Sequence, residues 1–582
     1  MRDTQRGATY GSDLIVDLLR ALDVEYAAFN PGASFRGLHD SLINYGGDRA
    51  PRTILCTHEE ISVALAHGYA KSTGRPMVAI LHDVVGLQHA CMAIFNAWVD
   101  RVPILLLGGT GAVDAARRRP WIEWIHTALV QGDHVRDFVK WDDQPASVAA
   151  AIESIVRAYR LARAEPTAPT YVCLDVALQE DRLPSGVAIP GDLGRWLAPR
   201  TVQADPRAIE EAAALLAGAS APVILADRVG RSPEGAAALA RLADLLAAPV
   251  VDFGARFNLP SDHALDVTGE AASLVEAADV VLLLDLTDPA GQLRRPNGRL
   301  SPAARLRPDA RVVSISIADL LVHSWTADYQ PVQPADLEIV GDTCLVLPAL
   351  TDAVRERVRP DERRQERRRL LGAAVGIRRA AWEATARHDL SGEVVTVPAL
   401  SLAVRDAVGD RDRTLSNSDL DGWVRKLWRI ERPQDWTGSS GGAGIGYGIG
   451  ASLGVALARK KSGAIVVDLQ PDGDLLYCTS ALWTAAKERL PLLAVMFNDR
   501  AYGNSLEHAR SIARTRSRPE RDAGIGTAVD DPPVDFATVA RGLGVSASGP
   551  IVRPGELSRP LAVAVEAVAA GEPYLVDVIV RK

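Results

Sequence analysis

Two apolar segments in the last third of the chain end in polar residues that can bind a metal. Asp472 follows the β-rich run 465–470, and Asn498 and Asp499 follow a second apolar run, 490–497. A strand that stops at such a turn delivers its polar residues to the carboxyl end of a parallel sheet, where ligands bind. Carboxylate and amide oxygens at that edge suit a hard divalent cation. The sequence therefore predicts a magnesium site able to hold a diphosphate.

These residues belong to a strand–helix–strand unit. Residues 480–488, between the two apolar runs, have the spacing of a helix. The right-handed crossover of such a unit places both strand ends at one edge of the sheet. Asp472 and the pair Asn498–Asp499 can then converge on one cation. An Asp–Gly pair after a strand is, by itself, more often only a turn, so other residues must support the site.

A second group of reactive side chains lies nearer the amino terminus, again at predicted strand ends. Glu59 follows a short apolar strand and opens a helix rich in small residues, and His82 follows the next strand. An imidazole at a strand end can titrate near neutrality. A carboxyl group at a helix start can act as an acid or base, or simply complement the helix dipole. A further strand, 24–29, ends in a turn that contains Ala33 and Ser34.

The order of these motifs resembles the thiamine diphosphate (ThDP) enzymes of the acetolactate synthase, pyruvate decarboxylase and benzoylformate decarboxylase type. The signature of that family is Gly–Asp–Gly followed, after about two dozen residues, by Asn–Asn. Here it reads Pro471–Asp472–Gly473 and then Asn498–Asp499, and 499 − 472 gives an offset of 27 positions. Pro471 and Asp499 depart from the pattern, but neither change removes an oxygen ligand.

The resemblance implies a cofactor site made by the carboxyl-terminal part of the chain. Asp472, Asp499 and Ala501 would bind Mg²⁺, and Gly473 and Asp474 would contact ThDP.

Asn417, in a polar turn, and the glycine-rich run 438–448 are implied to complete that site. Main-chain N–H groups of such a run can approach phosphate closely. In register with the family, Ile445 wedges the cofactor into its bent shape and Ala443 offers a carbonyl to the aminopyrimidine.

The resemblance also implies catalytic roles for two residues. Glu59 aligns with the glutamate beside N1′ of the aminopyrimidine, where a carboxyl group favours the imino tautomer that removes the C2 proton. His82 aligns with a histidine that transfers protons in benzoylformate decarboxylase. A second histidine of that enzyme comes from its middle domain, where this chain has Gln292. The substrate pocket implied by the resemblance is formed by Ala33, Ser34, Gln88, His89, Tyr502, Glu507 and His508.

Composition bounds the class of protein. The chain has 582 residues, of which 47% are hydrophobic and 24% charged, and a net charge of −8, which argues against nucleic-acid binding. Its five cysteines form no CxxC pair, as is typical of a reduced cytoplasmic protein. No segment reaches the roughly 18 unbroken apolar residues of a membrane span, so we expect no membrane partner.

The order of apolar strands and helices predicts an α/β protein of three consecutive doubly wound parallel-sheet domains. By resemblance these are a pyrimidine-binding domain at 1–185, a Rossmann-like middle domain at 200–350 and a diphosphate-binding domain at 391–582. Residues 351–390 form an Arg-rich helical linker. By resemblance the middle domain would hold flavin adenine dinucleotide (FAD), an ADP moiety or neither. No GxGxxG follows one of its strands, which argues against a tightly bound dinucleotide such as FAD. The family implies at least a homodimer, commonly a homotetramer.

These expectations converge on a ThDP- and Mg²⁺-dependent enzyme that cleaves or forms C–C bonds next to a carbonyl. Its substrate would be a small 2-oxo acid, hydroxy ketone or acyl-CoA, and 2-oxo acid decarboxylation or carboligation is the leading expectation. A 2-hydroxyacyl-CoA lyase is the alternative, because the region 498–508 is similar to members of that group. A non-catalytic ThDP-binding homologue is the alternative of another class, prompted by Pro471 and Asp499.

Overall fold

The computed structural model describes residues 7–197, 200–294, 306–320, 331–418, 420–438 and 440–581. In these ranges the chain forms three parallel sheets in succession, each with its own helices, which confirms the predicted fold class. Their strands fall inside the predicted ranges 1–185, 200–350 and 391–582, whose exact limits stay a prediction. Asp419 and Ser439, from two of the predicted turns, lie outside the described residues. Among the described helices, none combines the length and the apolar character needed to cross a membrane.

The first sheet and its helices carry the predicted catalytic residues. Its strands are β1 (Tyr26–Phe29), β2 (Arg52–Leu55), β3 (Met77–Leu81), β4 (Ile104–Thr110), β5 (Asp142–Asp143) and β6 (Thr170–Asp175). Its helices are α1 (Gly11–Ala21), α2 (Arg36–Asp40), α3 (Glu59–Thr73), α4 (Val84–Val99), α5 (Ile122–His126), α6 (Val148–Arg163) and α7 (Val176–Glu180). The strand order is β2–β1–β3–β4–β6–β5. Ala79 and Ile80 of β3 point into two different apolar cores, as expected when helices cover both faces.

The middle sheet has the order β11–β10–β9–β7–β8. Its strands are β7 (Pro222–Ala226), β8 (Val250–Asp252), β9 (Val280–Leu284), β10 (Arg311–Ser316) and β11 (Leu337–Val340). Its helices are α8 (Pro206–Gly218), α9 (Pro233–Leu246), α10 (Ala272–Ala277), α11 (Pro289–Arg294) and α12 (Thr343–Arg357). The apolar face of α12 remains in this core as far as Val354, so this unit extends past residue 350.

The Arg-rich linker is the long helix α13 (Glu362–Leu390). Some of its arginines pair with acidic residues of the same helix, as Arg369 does with Glu366 at 2.6 Å. Others reach the two neighbouring units: Arg367 donates to the carbonyl of Leu246 in the middle unit at 2.6 Å, and Arg379 donates to that of Ser261 in the middle unit at 2.8 Å and to that of Arg425 in the third unit at 3.3 Å. The linker is therefore bound to the units that it joins.

The third sheet has the order β12–β13–β14–β16–β15. Its strands are β12 (Arg413–Ser418), β13 (Ile465–Pro471), β14 (Leu492–Asn498), β15 (Ser546–Ile551) and β16 (Tyr574–Ile579). Its helices are α14 (Val397–Val408), α15 (Trp423–Leu427), α16 (Tyr447–Arg459), α17 (Asp472–Tyr477), α18 (Ala481–Glu488), α19 (Gly503–Thr515), α20 (Phe536–Gly542) and α21 (Ser558–Ala569). The turn predicted after β13 is in fact the first turn of α17, because Asp472 and Asp474 suit the positive end of a helix.

The first and third units meet within one chain through α3 and α16. A Cβ atom on Gly68 would lie 1.9 Å from the carbonyl oxygen of Ala451, and one on Gly454 would lie 1.9 Å from that of Leu65. The two backbones therefore touch. Apolar residues of both helices, among them Ile61 and Leu453, belong to one shared core. This contact brings the helix that begins at Glu59 against the glycine-rich run.

We predict that Gly454→Ala destabilises the protein by about 1–3 kcal/mol, because the added methyl group must push the helices apart. The control is Gly376→Ala in α13, where a Cβ would meet nothing within 4 Å. That change should leave stability unchanged or raise it by up to about 1 kcal/mol, since alanine is the better helix former. The midpoints of thermal unfolding of both variants check this; equal midpoints would contradict the close contact.

Candidate active site

Asp472 and Asp499 come together at the carboxyl edge of the third sheet. Asp472 is 2% exposed, and its Oδ2 is buried with no hydrogen-bond partner among the described residues. Burial raises the pKa of Asp472 to about 7, and the charge of Asp499 adds to this effect. Two carboxylates and one unpartnered buried oxygen fit a hard divalent cation, which would relieve both the burial of charge and the repulsion.

Ala501 and Tyr502 are fixed beside this pair. The N–H of Tyr502 donates to the carbonyl of Thr527 at 2.8 Å, which holds this segment against a later turn. The N–H of Ala501 lies close enough to the Asp472 carboxylate to lower its pKa, against the larger effect of burial. A Cβ on Gly473 would lie 2.7 Å from the ring of Tyr502. Gly473 is therefore required by the position of that ring.

Asp474 holds the start of α16. Its carboxylate accepts hydrogen bonds from the N–H groups of Gly446 at 2.6 Å and Gly448 at 3.2 Å, and from the Gln470 amide at 2.6 Å. The same main-chain amides were predicted to approach phosphate. In the structure the Asp474 side chain fixes the glycine-rich turn, and Gly446 adopts a φ of 96°, a conformation that favours glycine.

The glycine-rich turn is also held by the first unit, through Asn96 of α4. The Asn96 amide donates to the carbonyl of Gly444 at 3.3 Å, and the Gly444 N–H donates back to Asn96 Oδ1 at 3.1 Å. On the two sides of Gly444, Ala443 has a φ of 51° and Ile445 is 37% exposed. The turn thus presents Ile445 at its surface. Asn96 was missed because it lies in an ordinary helical pattern, far along the chain from its partner.

Asn417 lies at the end of β12 and points toward β13. Its amide donates to Asp468 Oδ1 at 3.1 Å, and a Cβ on Gly448 would lie 2.5 Å from the same nitrogen. The absence of a side chain at Gly448 therefore leaves room for Asn417 beside the start of α16.

Glu59 is the first residue of α3 and is 6% exposed. Its Oε2 lies 3.2 Å from Nδ1 of His89, whose ring stacks on that of His58 with 4.9 Å between centroids. A Cβ on Gly86 would lie 3.0 Å from Glu59 Oε1 and 2.8 Å from His82 Cβ. Glu59 and His82 therefore both lie next to Gly86.

Glu60 is a further, partly buried carboxyl group, and no sequence motif singled it out. Burial, together with the charge of Asp474, raises the pKa of Glu60 to about 7. A Cβ on Gly446 would lie 2.7 Å from Glu60 Oε1, so this side chain contacts the glycine-rich turn. The two neighbouring glutamates thus face different surroundings, Glu59 toward His89 and Glu60 toward α16.

His82 follows β3 and is oriented by Ser34. The Ser34 hydroxyl accepts from the N–H of Asp83 at 3.0 Å and lies 2.9 Å from Nδ1 of His82. Nδ1 of His82 is also 3.0 Å from Asp83 Oδ1, so Ser34 and Asp83 together fix the orientation of the ring. Ser34 is fully buried, so the structure assigns this predicted pocket residue a contact with His82.

A second imidazole, that of His126 in α5, lies beside His82. The ring centroids are 5.6 Å apart and the rings are nearly perpendicular. Burial lowers the pKa of His82, and the charge of His126 lowers it further. Burial also raises the pKa of Asp83 to about 7. Because Gln292 stands where a relative has its second histidine, no second histidine was expected, and His126 was missed because it follows no predicted strand and stands in no recognised motif.

Four of the predicted pocket residues are not tied to these groups. Ala33 and Gln88 are exposed. Glu507 pairs with Arg510 at 2.6 Å on the exposed surface of α19, and His508 is exposed on the same helix. Their part in a substrate pocket stays a prediction.

Comparison with known proteins gives consistent matches along the chain. A family model described as "Thiamine pyrophosphate enzyme, N-terminal TPP binding domain" matches residues 9–132, the central-domain model matches 209–350, and the "C-terminal TPP binding domain" model matches 418–578. The chain is 27% identical over 539 residues to benzoylformate decarboxylase of Pseudomonas aeruginosa, covering 90% of this chain and 91% of that protein.

Two further comparisons extend over nearly the whole chain. A probable chloroplastic acetolactate synthase 2 of Oryza sativa subsp. japonica is 25% identical over 608 residues, covering 99% of this chain and 83% of that protein. The solved structure of a ThDP-dependent 4-hydroxybenzoylformate decarboxylase from Rhodococcus jostii RHA1 has a TM-score of 0.74 at 20% identity, covering 98% of this chain and 99% of the other. At that identity the structural match shows the fold.

We predict that Asp468→Asn changes how stability depends on pH. Burial raises the pKa of Asp468 to about 8, with a further contribution from the charge of Asp474. The folded protein then holds a proton that the unfolded chain releases, so wild-type stability should fall as pH rises toward 8, by at most about 1.4 kcal/mol per pH unit. The amide of the variant cannot titrate, so Asp468→Asn should lack this slope. Thermal midpoints measured from about pH 5 to about pH 9 check it; parallel curves would refute it.

Proposed function

The chain belongs to the thiamine diphosphate-dependent enzyme family, among the 2-oxo acid decarboxylases and carboligases, and on that premise we propose that it cleaves or forms a C–C bond next to a carbonyl with ThDP and Mg²⁺. The leading reaction is decarboxylation of a small 2-oxo acid, alone or coupled to carboligation. The contact that carries this proposal is at Gly86, where Glu59 Oε1 and His82 Cβ lie 3.0 and 2.8 Å from the position that a Cβ atom would occupy.

We propose that Mg²⁺ binds between Asp472, Asp499 and the main-chain carbonyl of Ala501. The unpartnered Oδ2 of Asp472 and the mutual repulsion of the two carboxylates support this assignment. Asp499, where the family has asparagine, makes the ligand set more negative and should strengthen its attraction for a divalent cation.

We propose that Asn417, Ala443, Ile445, Gly473 and Asp474 surround ThDP. The partly exposed Ile445 lies on a turn that both Asp474 and Asn96 hold in place. When bound, ThDP supplies a nucleophilic carbon and then accepts the electrons released by bond cleavage.

The residues of this chain would supply proton transfer around that chemistry. Glu59, buried at the start of α3, would hold a proton next to the aminopyrimidine. Burial lowers the pKa of His82 and favours its neutral form, which would accept a proton from a reacting group, while Ser34 orients the ring. His126, next to His82, is positioned to exchange a proton with it or with a substrate carboxylate.

A second candidate reaction is cleavage of a 2-hydroxyacyl-CoA. The observation that favours it is the exposed pair Arg516 and Arg518 just after α19; the nearby Arg510 and Arg514 pair with Glu507 and Glu520. Such a basic pair suits the phosphate groups of CoA.

We propose that the enzyme works in the cytoplasm as a homodimer or homotetramer, without nucleic-acid or membrane partners. All five cysteines are free thiols, in keeping with a reducing compartment. Large apolar side chains next to His126 are exposed and would be covered by a second copy of the chain; they are Trp121, Trp124, Ile125 and Leu129.

We predict that Glu59→Gln binds ThDP but loses turnover, because the amide cannot hold the proton that cofactor activation needs; the loss should be about 100-fold or more. Cofactor binding is followed by tryptophan fluorescence with and without Mg²⁺. Turnover is followed by release of CO₂ from a panel of 2-oxo acids and by cleavage of a 2-hydroxyacyl-CoA.

Glu60→Gln is the matched control, since it removes the neighbouring carboxyl group that faces Gly446. If Glu60→Gln lost more activity than Glu59→Gln, the roles of the two glutamates would be exchanged. If the wild type failed to bind ThDP in the presence of Mg²⁺, the assignment of Asp472 and Asp499 would be wrong.

We predict that His126→Ala lowers kcat by about 100-fold or more, as expected for loss of a proton-transfer group. Its removal also takes away a positive charge that lowers the pKa of His82, so the acidic limb of the kcat/KM profile should move to higher pH. His134→Ala, at an exposed position of the same segment, is the control. A His126→Ala profile identical to that of wild type would exclude the second imidazole from the reaction.

A further inference from the structure

Three side chains that can bind a metal, those of His82, Asp83 and His126, converge at the carboxyl edge of the first sheet. His82 and Asp83 follow β3, and His126 is the last residue of α5. Each side chain offers one ligand atom, and these atoms lie within 4.8 Å of one another. The two histidines are partly exposed, so an ion can reach them from solvent, whereas Asp83 is buried. Two imidazoles and a carboxylate form a ligand set that suits transition metals.

The carboxylate of Asp83 does not do what its position in the chain favours. Asp83 immediately precedes α4, where an aspartate commonly accepts a hydrogen bond from an N–H group of the first turn. Its side chain makes no such bond. Asp83 Oδ1 lies 3.0 Å from Nδ1 of His82, but it is buried and accepts no hydrogen bond from the described residues. A buried carboxylate oxygen in this state is unfavourable unless another group satisfies it.

The spacing of the three groups is close to that of ligands on one ion. Bonds from Zn²⁺ to nitrogen or carboxylate oxygen are about 2.0–2.2 Å long, so ligand atoms at tetrahedral angles lie roughly 3.3 Å apart and imidazole centroids roughly 5 Å apart. The distance from His82 Nδ1 to Asp83 Oδ1 is 3.0 Å, and the ring centroids of His82 and His126 are 5.6 Å apart. A small rotation of the partly exposed His126 would complete the site.

Ser34 does not prevent an ion from binding at this place. Its hydroxyl lies 2.9 Å from Nδ1 of His82 and accepts from the N–H of Asp83 at 3.0 Å. On metal binding the hydroxyl proton would turn away from Nδ1, and the hydrogen bond from Asp83 would remain.

The charges around the three side chains also favour a cation. Arg119 and Glu123 both act electrostatically on the Asp83 carboxylate, with opposite signs. These two side chains pair with each other at 2.6 Å, so together they add no net charge. Ionised Asp83 therefore brings an unbalanced negative charge to the two imidazoles, and a divalent cation would be attracted to it.

We propose that His82, Asp83 and His126 form a binding site for a transition-metal dication of the Zn²⁺ type, separate from the Mg²⁺ site at Asp472 and Asp499. Imidazole nitrogen favours metals of this class over Mg²⁺, which prefers oxygen ligands. A metal bound to the imidazole lone pairs would also block proton transfer by the two histidines and so inhibit turnover. The inhibition rests on the proposed function, whereas the binding does not.

The test uses the holoenzyme saturated with ThDP and excess Mg²⁺, so that the oxygen-ligand site is already filled. Zn²⁺ is titrated by calorimetry. Co²⁺ is titrated by visible absorption, which is strong for four- or five-coordinate cobalt and weak for an octahedral site of oxygen ligands. Both ions should bind saturably at one site per chain, and Zn²⁺ should raise the midpoint of thermal unfolding. A strong near-ultraviolet charge-transfer band would indicate cysteine ligands and contradict the site.

His126→Ala and Asp83→Asn should each weaken Zn²⁺ binding by about 100-fold or more, because even residues outside the ligand shell contribute about tenfold to 100-fold. Asp83→Asn preserves the size of the side chain, which keeps the test independent of a packing defect. The controls are His134→Ala, at an exposed position, and His89→Ala, which removes an exposed histidine beside Glu59. Both should bind Zn²⁺ as wild type does. Absence of saturable binding, or equal affinities in His126→Ala, Asp83→Asn and wild type, would overturn the proposal.

Turnover measured during the same titration separates the metal site from the proposed function. Loss of CO₂ release in proportion to occupancy of the site would support both. Full occupancy with unchanged turnover would support the metal site and remove His82 and His126 from proton transfer. The binding measurements need no substrate, so they decide on the metal site even if none of the 2-oxo acids is turned over.

Discussion

The candidate site depends on the contact between α3 and α16, where glycines let two backbones touch. Gly68 and Gly454 each face a carbonyl oxygen of the opposite helix, at a distance that leaves no room for a Cβ atom. Because these helices begin at Glu59 and at Tyr447, their contact decides how the predicted acid–base residues face the glycine-rich turn. The third unit carries the metal pair Asp472 and Asp499, and the first unit carries the histidines. The contact between α3 and α16 sets the position of one group relative to the other.

A buried carboxylate reinforces this contact from the side. Asp100 is fully buried, and it lies 2.7 Å from His67 Nε2, 2.7 Å from Lys71 Nζ and 2.7 Å from Arg256 Nη1. Burial opposes its ionisation, yet Arg256 and Lys71 hold the pKa of Asp100 well below its usual range. Lys71 also donates to the hydroxyl of Tyr447 at 3.2 Å. Residues of all three units thus meet at one charge, and a buried charge requires that each partner stays in place.

The fold and the linear motifs were predictable from sequence, because each depends on local patterns. Apolar runs followed by polar turns indicated the strands and located Glu59, His82 and Asp472 at strand or helix ends. The remaining features arise from contacts between distant segments. Nothing local distinguishes Glu60 from Glu59, and the nearness of His126 to His82 depends on how α5 folds back over the first sheet. Asn96 lies in an ordinary helical pattern, and its hydrogen bonds with Gly444 become visible only in the structure.

The pairing of α3 with α16 also has a consequence for how the chain folds during synthesis. The two helices begin 447 − 59 = 388 positions apart. Contacts between such distant segments form late, after the loop between them has closed. The first unit therefore emerges from the ribosome long before its partner, with the glycine-bearing face of α3 uncovered. Until α16 arrives, that face is an apolar surface open to other chains, and this enzyme should depend on chaperones most during that interval.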